Sequence, residues 1–434
     1  MRRLIYIFII GLLLCSYTWA DGSRYASKSL LSEGKWVKIR VDKTGIYKLS
    51  YADLKNMGFS DPSKVSVHGY GGWPLDEDFS KEYIDDVPST PVWRGSDYLL
   101  FYGKGPVKWE YDSSSQTFVH TNNPYSLYGY YFVTDATPTN DMTSVAQASG
   151  ATNRITTYDD YLVHEQELVS LAKSGRELYG EDFSGATPRT LSTFSSIPGI
   201  TNEDAKVTMS FVSKVTSGTG VASLSINQSN VLDVSIRSNR EEYVKALEGV
   251  STAVWKGEKS EKNSVVVSYN SASHNNVRLN YVRLHFKRTL QPYGAYTFFR
   301  SIASIGNVSR FVVQGANANT LVFDVTDAQR VRLMETELNG SELTFSIPAG
   351  TLREFVLVRT DQSFISPEVV GEVENQNLHA LEQKDMIIIA AKAFQTQAER
   401  LAEEHRATDG LTVEVVDPQS IYNEFSSGAP DATA

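Results

Sequence analysis

The chain has 434 residues and a formal net charge of −10 at pH 7, and its aromatic residues are led by 23 tyrosines. This length accommodates about three domains, each large enough to bury its own core. Because positive charge is not concentrated in any stretch, the sequence argues against nucleic acid as a partner. The aromatic content favours β-sandwich packing.

The N-terminus has the three parts of a secretory signal peptide. Arg2 and Arg3 form a basic region, residues 4–14 are apolar, and Ala20 ends a small-residue cleavage site. We predict a signal peptide over residues 1–20 with cleavage after Ala20. The alternative is a retained membrane anchor, but the apolar run is short against the ~20 residues that span a bilayer.

The single cysteine, Cys15, lies inside this predicted signal peptide. A lipoprotein signal would need a small residue before it, and the sequence has Leu12-Leu13-Leu14 instead. The exported portion is then free of cysteine, which excludes disulfides, a thiolate nucleophile and thiolate metal ligands from it. No later stretch is apolar and long enough for a membrane-spanning helix.

Most of the chain has the pattern of short β-strands. Residues 36–41 alternate apolar and basic side chains, and from Lys206 apolar residues recur with a period of two, changing phase at Tyr281-Val282, where we expect a β-bulge. We predict an N-terminal β-rich domain over residues 21–190, a β-sandwich domain over residues 191–290 and a second β domain over residues 291–374. Within the first, residues 158–172 are compatible with a helix, and residues 371–384 are predicted to be a polar linker.

The last segment, residues 375–434, has a different pattern. Residues 386–390 form a continuous apolar run, residues 394–408 have helical spacing that ends at Gly410, and residues 411–416 form a second strand before a short helix at 419–425. This is one βαβ unit, and two parallel strands with one helix cannot cover both faces of a sheet. We therefore expect the chain to be a fragment that stops inside an α/β domain.

Motifs for several kinds of chemistry are missing or incomplete. After His164-Glu165, a zinc peptidase helix would need a second histidine where Leu168 stands. The glycine-rich turn at 69–74 lacks the lysine and helix of a phosphate loop. The acidic residues between 76 and 86 lack the spacing of a calcium loop and are expected to form a solvated face. The seven histidines are scattered without a recognisable triad.

Several short motifs, in this order, resemble a known family. They are Asn123-Pro124-Tyr125-Ser126 with Gly129-Tyr130-Tyr131-Phe132, Ser174-Gly175-Arg176-Glu177 with Tyr179-Gly180-Glu181, Phe323-Asp324-Val325-Thr326, Asn375-Gln376-Asn377-Leu378-His379, and Ala398 to Ala402 followed by Ile421 to Gly428. The chain resembles the sortases of the type IX secretion system in Bacteroidetes, which are gingipain-like cysteine peptidases. The fold expected is multidomain and mostly β, followed by the first βαβ unit of a caspase-like α/β peptidase domain.

The resemblance also implies an activity and partners. This family uses a Cys nucleophile and a His base to remove the C-terminal sorting domain of secreted cargo, and it can join the new end to anionic lipopolysaccharide. Its partners are thus cargo and outer-membrane secretion components, its location is the outer membrane or cell surface, and no cofactor or metal is implied. The catalytic pair is expected beyond Ala434, so no catalytic residue is assigned in this chain, and His405 is not given that role.

Two other interpretations stay open. One is a different secreted peptidase of the gingipain type. The other is a β-rich surface adhesin or carbohydrate-binding module, in which exposed aromatic rings stack on sugars; its candidate residues are Trp73, Trp93, Trp109, Tyr128, Tyr130 and Tyr131. An adhesin would not need the βαβ unit at the end of the chain.

Overall fold

The computed structural model describes residues 25–81, 83–173 and 175–434. The predicted signal peptide and Cys15 lie outside the described residues. Strands dominate the rest, and the predicted fold class, mostly β with an α/β unit at the end, is confirmed. No helix within the described ranges is long and apolar enough to cross a membrane.

The strands are, in chain order, β1 Trp36–Val41, β2 Gly45–Ser50, β3 Ser66–Gly71, β4 Ser89–Thr90, β5 Val92–Arg94, β6 Tyr98–Gly103, β7 Val107–Asp112, β8 Thr117–Asn122, β9 Gly129–Thr134, β10 Ser144–Val145, β11 Asn153–Ile155, β12 Thr157–Glu165, β13 Arg189–Thr190, β14 Ala205–Lys214, β15 Thr219–Ile226, β16 Ser229–Arg237, β17 Leu247–Trp255, β18 Val265–Tyr269, β19 Asn275–Thr289, β20 Tyr296–Arg300, β21 Asn307–Val313, β22 Thr320–Asp324, β23 Arg332–Met334, β24 Glu337–Asn339, β25 Glu342–Ala349, β26 Glu354–Arg359, β27 Glu368–Val373, β28 Met386–Ile389 and β29 Val413–Val416. The α-helices are α1 Tyr51–Asn56, α2 Gln395–Glu404 and α3 Pro418–Phe425.

The N-terminal region is built from two sheets. A five-stranded sheet has the order β27-β1-β9-β3-β4, and a three-stranded sheet has the order β2-β6-β5. Side chains of both sheets share one core that includes Tyr47, Phe101, Tyr131 and Val133. The other face of the smaller sheet packs through Leu100 and its neighbours on the middle of the chain.

The middle of the chain is organised by one long sheet with the order β10-β23-β22-β26-β20-β12-β19-β14-β17. One four-stranded sheet, β13-β18-β15-β16, covers part of it around Phe211 and Leu279. Another, β11-β21-β25-β24, covers the rest around stacked Phe311 and Phe345. The predicted β-sandwich domain and the second β domain therefore share a sheet, and this sheet is continuous across the predicted boundaries at 190/191 and 290/291.

Of two local predictions in this region, one is confirmed and one is wrong. The phase change in β19 is a β-bulge: Ser210 lies opposite Tyr281 and Phe211 opposite Leu279, which leaves Asn280 as the extra residue. The predicted helix at 158–172 is wrong. Residues 157–165 are β12, paired along its whole length with β19, because the tertiary pairing overrides a weak helical pattern.

The C-terminal segment contains the predicted βαβ unit. β28 and β29 are parallel and joined through α2, which buries Ala398 and Ala402. The helix ends in a π-helical turn at His405–Asp409 and in Gly410, whose φ of 69° is left-handed. The predicted linker at 371–384 is partly wrong, because its first residues belong to β27, which pairs with β1.

Candidate functional site at the junction

The C-terminal segment docks on the N-terminal sheets through α3 and the loop that follows it. Asp417 caps α3 by accepting a hydrogen bond from Gln419 N, and Pro418 occupies the first turn, where no backbone donor is needed. Beyond the helix, residues 426–431 are buried or nearly so. We call the contacts of residues 376–379 and 417–431 with residues 26–134 the junction.

His379 lies at the centre of the junction between two carboxylates. Its Nδ1 is 2.5 Å from Glu424 Oε2 and its Nε2 is 2.9 Å from Asp85 Oδ1. Burial alone lowers a histidine pKa, but the hydrogen bonds to Glu424 and Asp85 prevail and raise the pKa of His379 to about 9. The imidazole is therefore a cation at neutral pH.

Glu424 is fully buried and accepts four hydrogen bonds. Gln376 Nε2 and Leu378 N donate to Oε1 at 2.9 and 2.8 Å, and the backbone N of His379 donates to Oε2 beside the ring nitrogen. Burial acts to raise the pKa of this carboxyl group, yet these donors hold it below its ordinary value. Glu424 is thus a buried anion that fixes the segment before β28 to α3.

The acidic residues at 85 and 86 belong to the junction. Asp86 is 6% exposed and accepts hydrogen bonds from Ser29 Oγ and Leu30 N, and burial raises its pKa. Asp85 holds His379 and also accepts from Ala26 N. The expected solvated acidic face is therefore wrong at these two positions, because the C-terminal segment and the residues before β1 cover them.

Lys38 is a buried amine of the junction. Its Nζ donates to Asn423 Oδ1 at 3.0 Å and to Gly428 O at 2.7 Å, and it lies 4.5 Å from the centre of the Tyr130 ring. Burial lowers the pKa of Lys38 to about 7. Asn423 Nδ2 donates in turn to Gln376 Oε1, so that Lys38 and His379 belong to one hydrogen-bonded network.

Glycine permits the closest approach of the two parts. A Cβ at Gly428, where φ is 86°, would lie 2.7 Å from Lys38 Cε, and one at Gly69 would lie 2.6 Å from Ser427 Oγ. That serine oxygen accepts from Tyr70 N and donates to Tyr130 O. The glycine-rich turn thus serves the docking of the C-terminal segment.

A cleft of about 430 Å³ opens beside the junction. One wall is the end of β27 and the residues after it, from Val370 to Gln376. The opposite wall includes Lys392 and Asp417, which follow the carboxyl ends of β28 and β29. In open α/β sheets, ligands bind at this edge of the parallel strands.

The junction residues can dock one part of the chain on another, but they are not arranged for catalysis. His379 is positively charged and held by two carboxylates, so it cannot act as a general base at neutral pH. The Ser427 hydroxyl is buried and engaged on both sides. His405 pairs locally with Asp409 on the helix end, at 2.7 Å. No catalytic residue was predicted in the chain, and this prediction stays untested.

The remaining predicted candidates lie apart from the junction. His164 and Glu165 are on strand β12, bonded to Glu181 and His120 respectively, so the zinc-helix arrangement is absent. No group of three or more His, Cys, Asp or Glu within the described ranges is placed to hold a metal ion. Of the six aromatic candidates, Trp73 and Trp109 line one cleft of about 350 Å³, whereas Tyr131 is in the core.

The motifs that carried the family resemblance stabilise loops and joints. Asn123 Oδ1 accepts from Tyr125 N and Ser126 N, which closes a tight turn. Buried Asp324 binds the guanidinium groups of Arg332 and Arg353. Asn375 Nδ2 donates to Leu31 O and Gly34 O, joining the end of β27 to the start of the chain.

Sequence reasoning missed Lys38, Asp85, His379 and Glu424 as a group. They are separated by up to 386 positions, and each alone has an ordinary surface explanation. One available signal was their position: His379 and Glu424 lie in short segments that resemble the family. Asp85 was expected on a solvated acidic face. Lys38 was expected to face solvent in an alternating strand, but α3 and its following loop cover that face.

One family model and one solved structure match this chain well. Residues 379–434 match peptidase family C25. The crystal structure of dimeric latent PorU from Porphyromonas gingivalis superposes with a TM-score of 0.88 and 33% sequence identity, covering 94% of this chain and 39% of that one. BuGH86 in complex with neoagarooctaose gives a TM-score of 0.17 at 11% identity, over 59% of this chain and 33% of that one. No curated protein matches the chain.

The chain therefore spans about two fifths of the length of the PorU structure that it matches. The structural match covers 94% of this chain, and the family C25 match starts at His379 itself. Fold and family match together place this chain in the PorU-like group of gingipain-type proteins.

Proposed function

We propose that the chain is the N-terminal part of a type IX secretion system sortase, a cysteine endopeptidase and transpeptidase that removes the C-terminal sorting domain of secreted cargo. The observation that carries the proposal is the fold similarity to PorU over 94% of the chain, which ends in a segment matching peptidase family C25. In this proposal the β-rich part holds the peptidase part at the cell surface and helps to position its cargo.

The βαβ unit supports the peptidase part of the proposal. Ile387 and Ile389 of β28 are 55% and 63% exposed, and Phe394 and Leu401 beside and on α2 are 66% and 51% exposed. Apolar side chains of a parallel sheet and its helices are normally covered on both faces. We propose that further elements of a peptidase domain cover them and supply the catalytic His and Cys, beyond Ala434.

Partners and location are part of the same proposal. The cargo would be secreted proteins bearing a C-terminal sorting domain, with outer-membrane secretion components and anionic lipopolysaccharide as further partners. Export by a signal peptide cleaved after Ala20, and a final location at the outer membrane or cell surface, complete it.

The test starts from the reading frame that follows Ala434 in the source genome. The protein encoded there should cleave a purified cargo fusion at the start of its sorting domain, and the Cys→Ala change at the predicted nucleophile should abolish cleavage. His405→Ala serves as the matched control, since His405 pairs locally with Asp409, and it should retain activity. A stop codon directly after Ala434, or cleavage unaffected by the Cys→Ala change, would refute the proposal. Equal cleavage of cargo without a sorting domain would favour a general gingipain-type peptidase.

A further inference from the structure

The long sheet has an outer face, opposite its core around Phe211, and the hairpin β7–β8 covers part of it. A cleft of about 340 Å³ lies between this hairpin and strands β14, β17 and β19. Its lining includes two cationic side chains, Lys206 and Arg283, and no carboxylate from the described residues. In a chain whose formal net charge is −10, the cleft is therefore a local excess of positive charge.

Arg283 is the more buried of the two cations, at 7% exposure. Its Nη2 lies 3.3 Å from the hydroxyl of Tyr281, whereas Nε and Nη1 donate to no group in the described part of the chain. Glu165 acts on it electrostatically, but this carboxylate is bonded to His120 Nε2 at 2.8 Å and to Asn122 Nδ2 at 2.7 Å. Buried charges are normally paired, so an unpaired guanidinium group that lines a cleft indicates an anionic ligand.

Lys206 places a second cation beside Arg283. It lies opposite His285 in the pairing of β14 with β19, so it is a diagonal neighbour of Arg283, at a typical separation of about 7–8 Å. Its Nζ donates to the backbone carbonyls of Ser115 and Gln116 at 2.7 and 3.1 Å, and it forms no ion pair within the described ranges. These neutral acceptors satisfy its hydrogen bonds without balancing its charge. Two cations without a counter-charge thus line one cleft.

Hydroxyl groups and aliphatic side chains complete the cleft. Thr208 lies opposite both Thr252 and Arg283, so these three residues form one row across β17, β14 and β19. The two threonine hydroxyls are bonded to each other at 2.9 Å, which leaves one hydroxyl hydrogen for an oxygen of a ligand. Val250 and Val254, also in the lining, are 53% and 43% exposed. Polar donors and an apolar wall therefore meet in the same place.

We propose that this cleft binds a small organic phosphate monoester, with the phosphate group at Arg283 and Lys206 and the apolar part on the exposed valines. The two cations match the charge of a phosphate monoester, about −1.5 to −2 at pH 7, whereas a carboxylate leaves one of them unbalanced. A guanidinium group fits phosphate oxygens in geometry, and an ammonium group adds a point charge. The inference does not depend on the sortase function, because no lining residue belongs to the βαβ unit.

Isothermal titration calorimetry on the purified chain at low ionic strength tests the site. The probe is phenyl phosphate, and the comparison ligands are inorganic phosphate, benzoate and benzyl alcohol. We expect phenyl phosphate to bind with a stoichiometry of one. Inorganic phosphate lacks the apolar part and benzoate carries a single charge, so both should bind at least about tenfold more weakly, and benzyl alcohol should not bind.

Variants of the chain then locate the site. Arg283→Met should weaken binding at least about tenfold without lowering the melting temperature, because methionine occupies the space and an unpaired buried charge is removed. Its matched control is Arg237→Met, an exposed arginine on β16, which should leave affinity within about twofold. Lys206→Met should weaken binding about tenfold. Its control is Lys214→Met, since Lys214 is on the same strand and also donates to a backbone carbonyl, that of Glu241, outside the cleft.

Failure of phenyl phosphate to bind would overturn the inference. Equal affinity for inorganic phosphate would reject the organic ligand, and equal affinity for benzoate would reject the phosphate group. Unchanged binding in Arg283→Met, or an equal loss in Arg237→Met, would reject the location. If Arg283→Met lowers the melting temperature, the arginine is needed for stability, and the decision passes to Lys206→Met, whose unchanged affinity would reject the site.

Discussion

Replacing Glu424 by glutamine tests whether a buried charged network holds the junction. The glutamine has nearly the same shape, so packing is preserved while the negative charge is removed. Glu424 now accepts four hydrogen bonds, from Gln376 Nε2, Leu378 N, His379 N and His379 Nδ1. The single carbonyl oxygen of glutamine can accept two of these four hydrogen bonds. The other two donors would face the new NH2 group, and the His379 cation would lose one of its two carboxylates.

The expected cost follows from these losses. A buried donor without an acceptor costs about 1–3 kcal/mol, and removal of one partner from a buried ion pair costs about 3–5 kcal/mol. Because the same contacts are counted in both figures, we expect the junction to lose about 3–5 kcal/mol in total. The loss should be local, since β14 and its neighbours have a separate core around Phe211.

Hydrogen exchange measured by mass spectrometry, combined with urea titration, measures this local loss of stability. Peptides from α3 and the loop to residue 431 should exchange about 150- to 5,000-fold faster in Glu424→Gln, as about 3–5 kcal/mol requires, while peptides from β14 should keep the wild-type rate. The control is Glu403→Gln on the exposed face of α2, expected to change stability by less than about 0.5 kcal/mol. Unchanged exchange at α3 in Glu424→Gln would show that the charged network does not hold the junction.

Three further changes test the same physical account. Asp324→Ala leaves two guanidinium groups without their buried carboxylate and should lower the unfolding free energy by about 3 kcal/mol in urea titrations, whereas the exposed neighbour Asp327→Ala should cost little. Gly428→Ala should destabilise the junction by about 1 kcal/mol more than Gly410→Ala, since both have positive φ but the second has open space around its Cβ; equal effects would contradict the close approach to Lys38. The pKa of His379 is raised from 6.5 to about 9, so its contribution to stability is complete below pH 6.5 and is lost as the pH rises through 9. The pKa of Lys38 is lowered to about 7, so Lys38 has the opposite effect and adds stability as the pH rises above 7. In Lys38→Met the opposing effect is removed, so the junction should lose up to about 3 kcal/mol between pH 6.5 and 9, and a flat pH profile would contradict the raised pKa.

The sequence predicted the regular elements better than their assembly. The run at residues 386–390, the helix before Gly410 and the bulge in β19 follow from local periodicity and glycine chemistry, and all are present. The strand β12 was mistaken for a helix because its pairing with β19 joins residues more than a hundred positions apart. The sharing of one long sheet between two sandwiches has no local signature either, since each strand alternates as it would in a sheet of its own.

The junction was unpredictable for a related reason. Lys38, Asp85 and His379 become buried when the C-terminal segment docks. Asp85 and His379 then pair with each other, and Lys38 donates to Asn423 and Gly428, so that all the partners are distant in sequence. Burying a charge is costly when the charge is alone and much less so when it is paired. Whether a charged residue is buried therefore depends on its partner and cannot be inferred from the sequence around it. Single positions in the sequence therefore indicated a solvated strand, an acidic face and a scattered histidine, each plausible by itself.

The residues of the family motifs fix the architecture of the chain. Asn123, Asp324, Asn375 and Glu424 each use a polar side chain to fix backbone or a buried cation at a turn or joint. Such residues specify how parts of the chain meet, because a half-satisfied polar group penalises every other arrangement. Their presence in this order is strong evidence for a shared architecture, including the docking of a family C25 segment on β sheets. None of these motifs contains a cysteine nucleophile, so the proposed peptidase activity would depend on residues outside them and is tested on those residues.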